Sequence, residues 1–136
     1  RFGDPETQVV LPRLKTDLME IFLVVTEERL ADIKIEWEDG ACVCVVLASG
    51  GYPQHYEKGK LIEIGDLDEG VFLYHAGTKR EGGVLKTSGG RVIGVCAKGA
   101  TVAAAREKAY RNVEKIHFEG MQYRKDIGIK YVHEEH

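Results

Sequence analysis

Two short strings set the chemistry that can be asked of this sequence: Ser49-Gly50-Gly51-Tyr52-Pro53, and Thr87-Ser88-Gly89-Gly90 followed by Arg91. Paired glycines leave backbone N–H groups unshielded. An arginine directly after them adds a two-pronged guanidinium, so the pattern suits an anion such as phosphate or carboxylate. Two hairpin turns and a surface arginine explain the same letters when each string stands alone. A third string, Tyr74-His75-Ala76-Gly77-Thr78, puts a histidine, a glycine and a threonine at a strand end, where ligand loops gather. Ordinary strand-end chemistry produces it too. The fourth is the opening Arg1-Phe2-Gly3-Asp4-Pro5-Glu6. Asp4, Pro5 and Glu6 read as a helix start, with a capping side chain, a proline in the first turn and an acid at the positive helix end. That reading leaves Arg1-Phe2-Gly3 unexplained.

Nothing is catalytic by spacing alone. The sequence holds no P-loop, no G-x-S-x-G, no H-E-x-x-H and no dinucleotide glycine fingerprint. His55, His75 and His117 are scattered, and a lone histidine is more often structural than a ligand. Cys42, Cys44 and Cys96 are odd in number, and one C-x-C without a second pair is a poor zinc pattern. They are expected to be small core residues in a reducing compartment. A net charge of −3, with no basic stripe interleaved with aromatics, gives no support for nucleic acid or an anionic membrane. No apolar run is long enough to cross a bilayer and no signal peptide is visible.

A chain of 136 residues, 43% hydrophobic and 30% charged, can bury one core, or one small domain with a piece of another. The spacing predicts a helix from Asp4 that breaks at Pro12 and restarts at Thr16-Asp17. Leu18, Ile21, Phe22 and Val25 then recur at helical intervals. This lead-in has no closed core of its own. After Asp32 the period changes. Residues 34–49 read as strand, Asp39-Gly40 turn and strand, the Val-rich second arm being apolar on both faces and so expected at the centre of a sheet. A Gly- and Pro-punctuated loop follows over 50–59. Strands are predicted at 60–64, 70–78, 83–90 and 91–99. Thr101 caps a helix running to about His117, with Val102, Ala105, Ala109, Val113 and Ile116 as its buried stripe. The fold class is α+β, a mostly antiparallel sheet with one packing helix.

Together, RFGDPETQ, ASGGYP, YEKGK, LYHAGT, SGGRVIGV, TVAAAREKAY and IHFEGMQYRKDIG, in that order, resemble the phosphoribosylamine–glycine ligase family over essentially the whole chain. The resemblance implies residues 1–32 as the end of an ATP-grasp domain. Residues 33–136 would be a C-terminal α+β domain like that of biotin carboxylase-type ATP-grasp enzymes. It implies a cytoplasmic ligase of purine biosynthesis that uses ATP and Mg²⁺ (or Mn²⁺) to join glycine to 5-phosphoribosylamine. The family's metal-binding glutamate and asparagine lie before RFGDPE, as do the N-terminal domain and the ATP lid. The chain by itself is therefore expected to bind no metal or ATP and to be inactive.

By resemblance, Arg1, Asp4 and Glu6 would line the substrate pocket from one side. Gly51, Tyr52, His75, Gly77, Thr78, Gly90 and Arg91 would line it from the other, with Arg91 on the ribose phosphate. None is assigned a catalytic or metal-binding role. The lead-in helices would pack on the absent core, so self-association is expected, and a strictly monomeric elution profile over a wide concentration range would count against it. The alternative is a free-standing, non-catalytic module holding a phosphorylated sugar or a protein partner.

Overall fold

The structure, a computed structural model, describes residues 3–132. Its centre is the strand β6 (Arg91–Gly99), which carries valine, isoleucine, cysteine and small residues on both faces and is buried from Val92 to Ala97. Such a strand is stable only when both edges are paired and both faces covered. Strand β1 (Ala41–Ala48) pairs antiparallel along one edge and β3 (Val71–His75) along the other, giving the order β1-β6-β3. The central position expected for the Val-rich β1 thus belongs to β6.

The expected hairpin over residues 34–49 does not form either. Lys34, Glu36 and Glu38 alternate with the apolar residues of that stretch and cannot compete with β6 for a buried edge. The stretch runs instead beside the lead-in, where Glu38 N donates to Arg13 O at 2.7 Å and Lys15 N to Glu36 O at 2.9 Å. Gly40 turns the chain with φ +91°, a value that favours glycine. A Cβ there would stand 2.5 Å from Gly99 O.

Helix α3 (Val102–Val113) covers one sheet face. Thr101 Oγ1 accepts from Ala104 N at 3.2 Å as its cap, as the sequence predicts. Ala105, Ala109 and Val113 pack with Val43, Val45, Leu47, Ile93 and Val95 in one apolar core. Burial of this kind yields roughly 25 cal/mol per Å² and carries most of the fold's stability. The helix stops at Val113, short of the expected His117. Ile116–His117 form the short strand β7, paired with β2 (Glu63–Ile64), and Ile116 is buried from that strand.

The helix α1 (Thr7–Val10) lies toward the other face. There Thr7, Gln8 and Leu11 share a cleft with Tyr74, and Val9 shares one with Cys42 and Cys44. A 3₁₀ turn at Leu11–Arg13 holds Pro12, where the break was predicted. Helix α2 (Leu18–Thr26) restarts with Asp17 Oδ1 accepting from Met19 N at 2.7 Å. Of α2 only Val24 is buried, so the lead-in has no core of its own. The segment predicted as one strand over 70–78 is two. After His75 the chain leaves β6 at Ala76-Gly77 and enters the hairpin β4 (Thr78–Glu81) and β5 (Val84–Thr87).

The end of α3 is tied to the loop before β3 by a polar cluster. Asn112, fully buried, accepts from Asp68 N at 2.9 Å and donates to Asp68 Oδ2 at 3.0 Å and Lys108 O at 2.8 Å. Lys115 Nζ and Arg111 Nε donate to the same carboxylate at 2.6 and 2.9 Å. These bonds, Lys115 first and then Asn112 and Arg111, hold the Asp68 carboxyl well below the usual carboxylate range. A folded-state value below the unfolded one means that this stabilisation is complete above about pH 4 and is lost as pH falls through the folded value. Wild type is therefore expected to melt higher than Asp68→Asn at neutral pH. In thermal melts the gap should narrow steadily from about pH 4 to about pH 2. A gap independent of pH would show that the carboxylate's charge contributes nothing.

Candidate functional site

The three glycine-containing loops meet at the start of β6. Ser49 N donates to Gly90 O and Ser49 Oγ to Gly89 O, both at 2.8 Å, and Ser49 is buried. Ser88 N donates to Gly77 O at 2.7 Å, and Gly77 N to Arg91 O at 2.8 Å. The backbones approach so closely that a Cβ on Gly77 would sit 2.6 Å from both Gly89 Cα and Arg91 O. A Cβ on Gly90 would run into the Tyr52 ring. These glycines are spacers: they bring the loops together and fix the Tyr52 ring beside Arg91. Gly51, with φ +88°, makes the turn that carries Tyr52 there, and a side chain on it would strike His55 O.

Arg91 lines a cleft of about 440 Å³ with Tyr52, Pro53, Gln122, Tyr123 and Arg124. Its guanidinium pairs with Asp4 Oδ2 at 2.9 Å, with 42% of the Arg91 side chain and 56% of the Asp4 side chain exposed. A pair this open contributes about 0–1 kcal/mol, so an incoming anion can displace it at little cost. Asp4 was expected to cap α1. The residue at the cap position is Glu6, which makes no side-chain cap bond, while Asp4 is drawn to Arg91 and accepts from Gln8 Nε2 at 3.2 Å.

Beyond the ion pair, His75 Nδ1 lies 3.1 Å from Thr78 Oγ1, bracketing the bend at Gly77. His75 and Tyr74 line a second cleft of about 400 Å³ with Gly3, Thr7, Gln8 and Leu11. Burial pushes the Tyr74 hydroxyl up from its ordinary value.

The structure thus brings Asp4, Tyr52, Gly90 and Arg91 into one place, with His75, Gly77 and Thr78 at the adjoining strand end. Gly51 stands behind the Tyr52 turn. Glu6 lines a different cleft, with Val9, Cys42, Cys44 and Tyr131. Arg1 lies outside the described residues. Gln122 and Arg124 stand out by no local pattern: residues 124–128 have no clear period, and Gln122 lies in no predicted element. Gln122 nevertheless pairs with Ala48 through both backbone bonds and donates from Nε2 to Tyr52 O at 2.8 Å, holding the loop shut. Arg124 is gripped two-pronged by Asp126 at 2.7 and 2.9 Å, and Asp126 is held low in pKa by that guanidinium. Of the cysteines, Cys96 is buried as expected, whereas Cys42 and Cys44 are half-buried and face the cleft of Glu6.

Arg91, in an open ion pair beside an aromatic ring that packs on a glycine, has the chemistry to accept a small anion, whereas the Arg124 guanidinium is already engaged by Asp126. Residues 42–130 match the family model "Phosphoribosylglycinamide synthetase, C domain". The chain belongs to this family. It is 54% identical over 133 residues to the phosphoribosylamine–glycine ligase of Caldanaerobacter subterraneus, and 49% over 134 to that of Chlorobaculum tepidum. Both alignments cover 96% of this chain and 31% of the relative. The crystal structure of phosphoribosylamine–glycine ligase from Thermotoga maritima superimposes with a TM-score of 0.72 at 41% identity, over 93% of this chain and 31% of that one. The antiparallel sheet with its packing helix is thus the architecture of this family's C domain. The chain spans about a third of the length of the relatives it matches.

The packing at Gly90 can be tested directly. Gly90→Ala must push the Tyr52 ring out or spread the loops, so a loss of about 1–3 kcal/mol is expected in denaturant unfolding. Gly90→Ala combined with Tyr52→Ala should recover part of that loss. If the double variant is as unstable as the sum of the two singles, the ring is not what the glycine accommodates.

Proposed function

We propose that this chain is the C-terminal part of an ATP-dependent ligase that joins glycine to 5-phosphoribosylamine in purine biosynthesis. Residues 1–32 would close an ATP-grasp domain, and residues 33–136 would form the C-terminal domain packed on it. In the reaction proposed for the whole protein, the glycine carboxylate is phosphorylated at the expense of ATP. The amine of phosphoribosylamine then attacks the acyl carbon of glycyl phosphate, and phosphate leaves. The products are glycinamide ribonucleotide, ADP and phosphate. The cytoplasm is the proposed site of action, in keeping with a metabolic family.

The share of this chain in that chemistry is anion binding and orientation. Arg91, whose carbonyl accepts from Gly77 N and whose guanidinium is half-exposed, would take the ribose phosphate in a two-pronged grip. Asp4 offers a carboxylate to an amine, Tyr52 a ring face to the sugar, and the His75–Thr78 pair a polar edge. Mg²⁺ or Mn²⁺ would neutralise charge on the transferring phosphoryl group in the whole enzyme. Among the described residues no group of three or more His, Cys, Asp or Glu could hold a metal ion.

The observation that carries this reading is the open Arg91–Asp4 pair on the wall of the Tyr52 cleft. Calorimetric titration with glycinamide ribonucleotide should show binding that weakens roughly 10- to 100-fold in Arg91→Ala, the loss of one charge-assisted contact of about 1.5–3 kcal/mol. Equal affinity in the two proteins would remove Arg91 from the phosphate site. The chain alone is expected to form no ADP in response to glycine; measurable glycine-dependent turnover would overturn its assignment as a binding part only.

A further inference from the structure

We propose that Cys44 and Cys96 form a thiol pair that a hydroperoxide oxidises to a cross-strand disulfide, making the sheet face beneath α1 a redox modification site. The two residues are direct partners across the β1–β6 ladder. Opposed residues of antiparallel strands lie about 4.5–5.5 Å apart between Cα atoms, inside the range a disulfide spans without backbone movement. Both side chains stand on the sheet face turned away from α3, since their neighbours Val43, Val45, Val95 and Ala97 belong to the core that α3 covers. Gly94 makes the room: a Cβ there would stand 3.0 Å from Cys44 Sγ, a tight contact, so the sulfur has settled into the space a side chain would contest.

The two thiols differ in access. Cys96 is fully buried, whereas Cys44 is half-buried and lines a cleft of about 540 Å³ with Pro5, Glu6, Val9 and Tyr131. Interaction with Cys96 holds the Cys44 thiol below its ordinary value, while the neighbouring Cys44 sulfur and then burial push the Cys96 thiol up. Cys44, the one of the pair open to the cleft, is therefore the attacking group. Its thiolate takes the terminal oxygen of a hydroperoxide, releasing an alcohol or water and leaving a sulfenic acid. The Cys96 sulfur then displaces that hydroxyl as water, and its proton leaves with it. Two thiols are oxidised and one peroxide reduced. Cys42 shares the cleft but stands opposite Lys98, and burial pushes its thiol up to about 11, so it has neither a cysteine across the ladder nor a ready thiolate.

The test treats the folded chain with hydrogen peroxide, blocks free thiols in acid, and maps cysteines by peptide mass spectrometry without reduction. The expected result is a disulfide joining the Cys44 and Cys96 peptides. Of the three thiols, only Cys42 should remain blockable, and dithiothreitol should restore the other two. Cys42→Ser should behave as wild type. Cys96→Ser should stop at a Cys44 sulfenic acid trapped by dimedone, and Cys44→Ser should leave Cys96 reduced. A disulfide involving Cys42, a link only between chains, or three thiols surviving peroxide would each overturn the proposal. Because the Cys42→Ser protein retains both reacting thiols, misfolding of the other two variants leaves the test intact.

Discussion

The closeness of three backbones at the head of β6 is the constraint on which the rest depends. Gly77 packs on Gly89, and Gly90 packs under Tyr52, at separations that no side chain permits. Without that approach Ser49 could not bond to Gly89 and Gly90, nor Gly77 to Arg91, and the bend that ends β3 would have no fixed place. The loops would still be glycine-rich and still turn. They would not converge. The shape of the site is thus a product of missing side chains as much as of present ones: the spacers decide where the guanidinium and the ring can stand.

A second layer of constraint works from the other end of the sheet. α3 is held by apolar contact along its length but is positioned at its end by Asn112 and Asp68. Burying an amide is costly unless its bonds are met, and here the Asn112 amide is met on both sides, by Asp68 and by the Lys108 carbonyl. Two cations at the close of the helix lie where its carbonyl ends favour positive charge. The apolar stripe sets which face of α3 is buried; the polar cluster sets how far along the sheet it sits.

Local rules were legible in the sequence wherever a feature depends on near neighbours. The Thr101 and Asp17 caps, the break at Pro12 and the change of period after Asp32 all follow from residues within a few positions. Strand order was not legible, because β1 and β6 are both apolar on two faces and only the competition for partners makes β6 central. The end of α3 was missed because Ile116 continues a helical stripe yet is buried equally well from a strand. In the site, the Gly-Gly-Arg and Gly-Gly-Tyr strings were visible as candidates. That Asp4 would leave a helix cap for Arg91, and that Gln122 would latch the Tyr52 loop, depend on contacts between distant segments that no local pattern encodes. The motif series pointing to the family survived because it is spread along the chain and needs no knowledge of how the pieces meet.

The central position of β6 also bears on how the molecule comes apart. A strand bonded on both edges and covered on both faces can exchange its amides only when the sheet as a whole opens, while hairpins such as β4–β5 can fray by themselves. Arg91 is the first residue of that strand. The proposed anion-binding group is therefore rooted in the central strand, and of the walls around it the His75 strand end is bonded along one edge only while Gln122 latches the Tyr52 loop. Motion at this site alters its walls and leaves its charge in place.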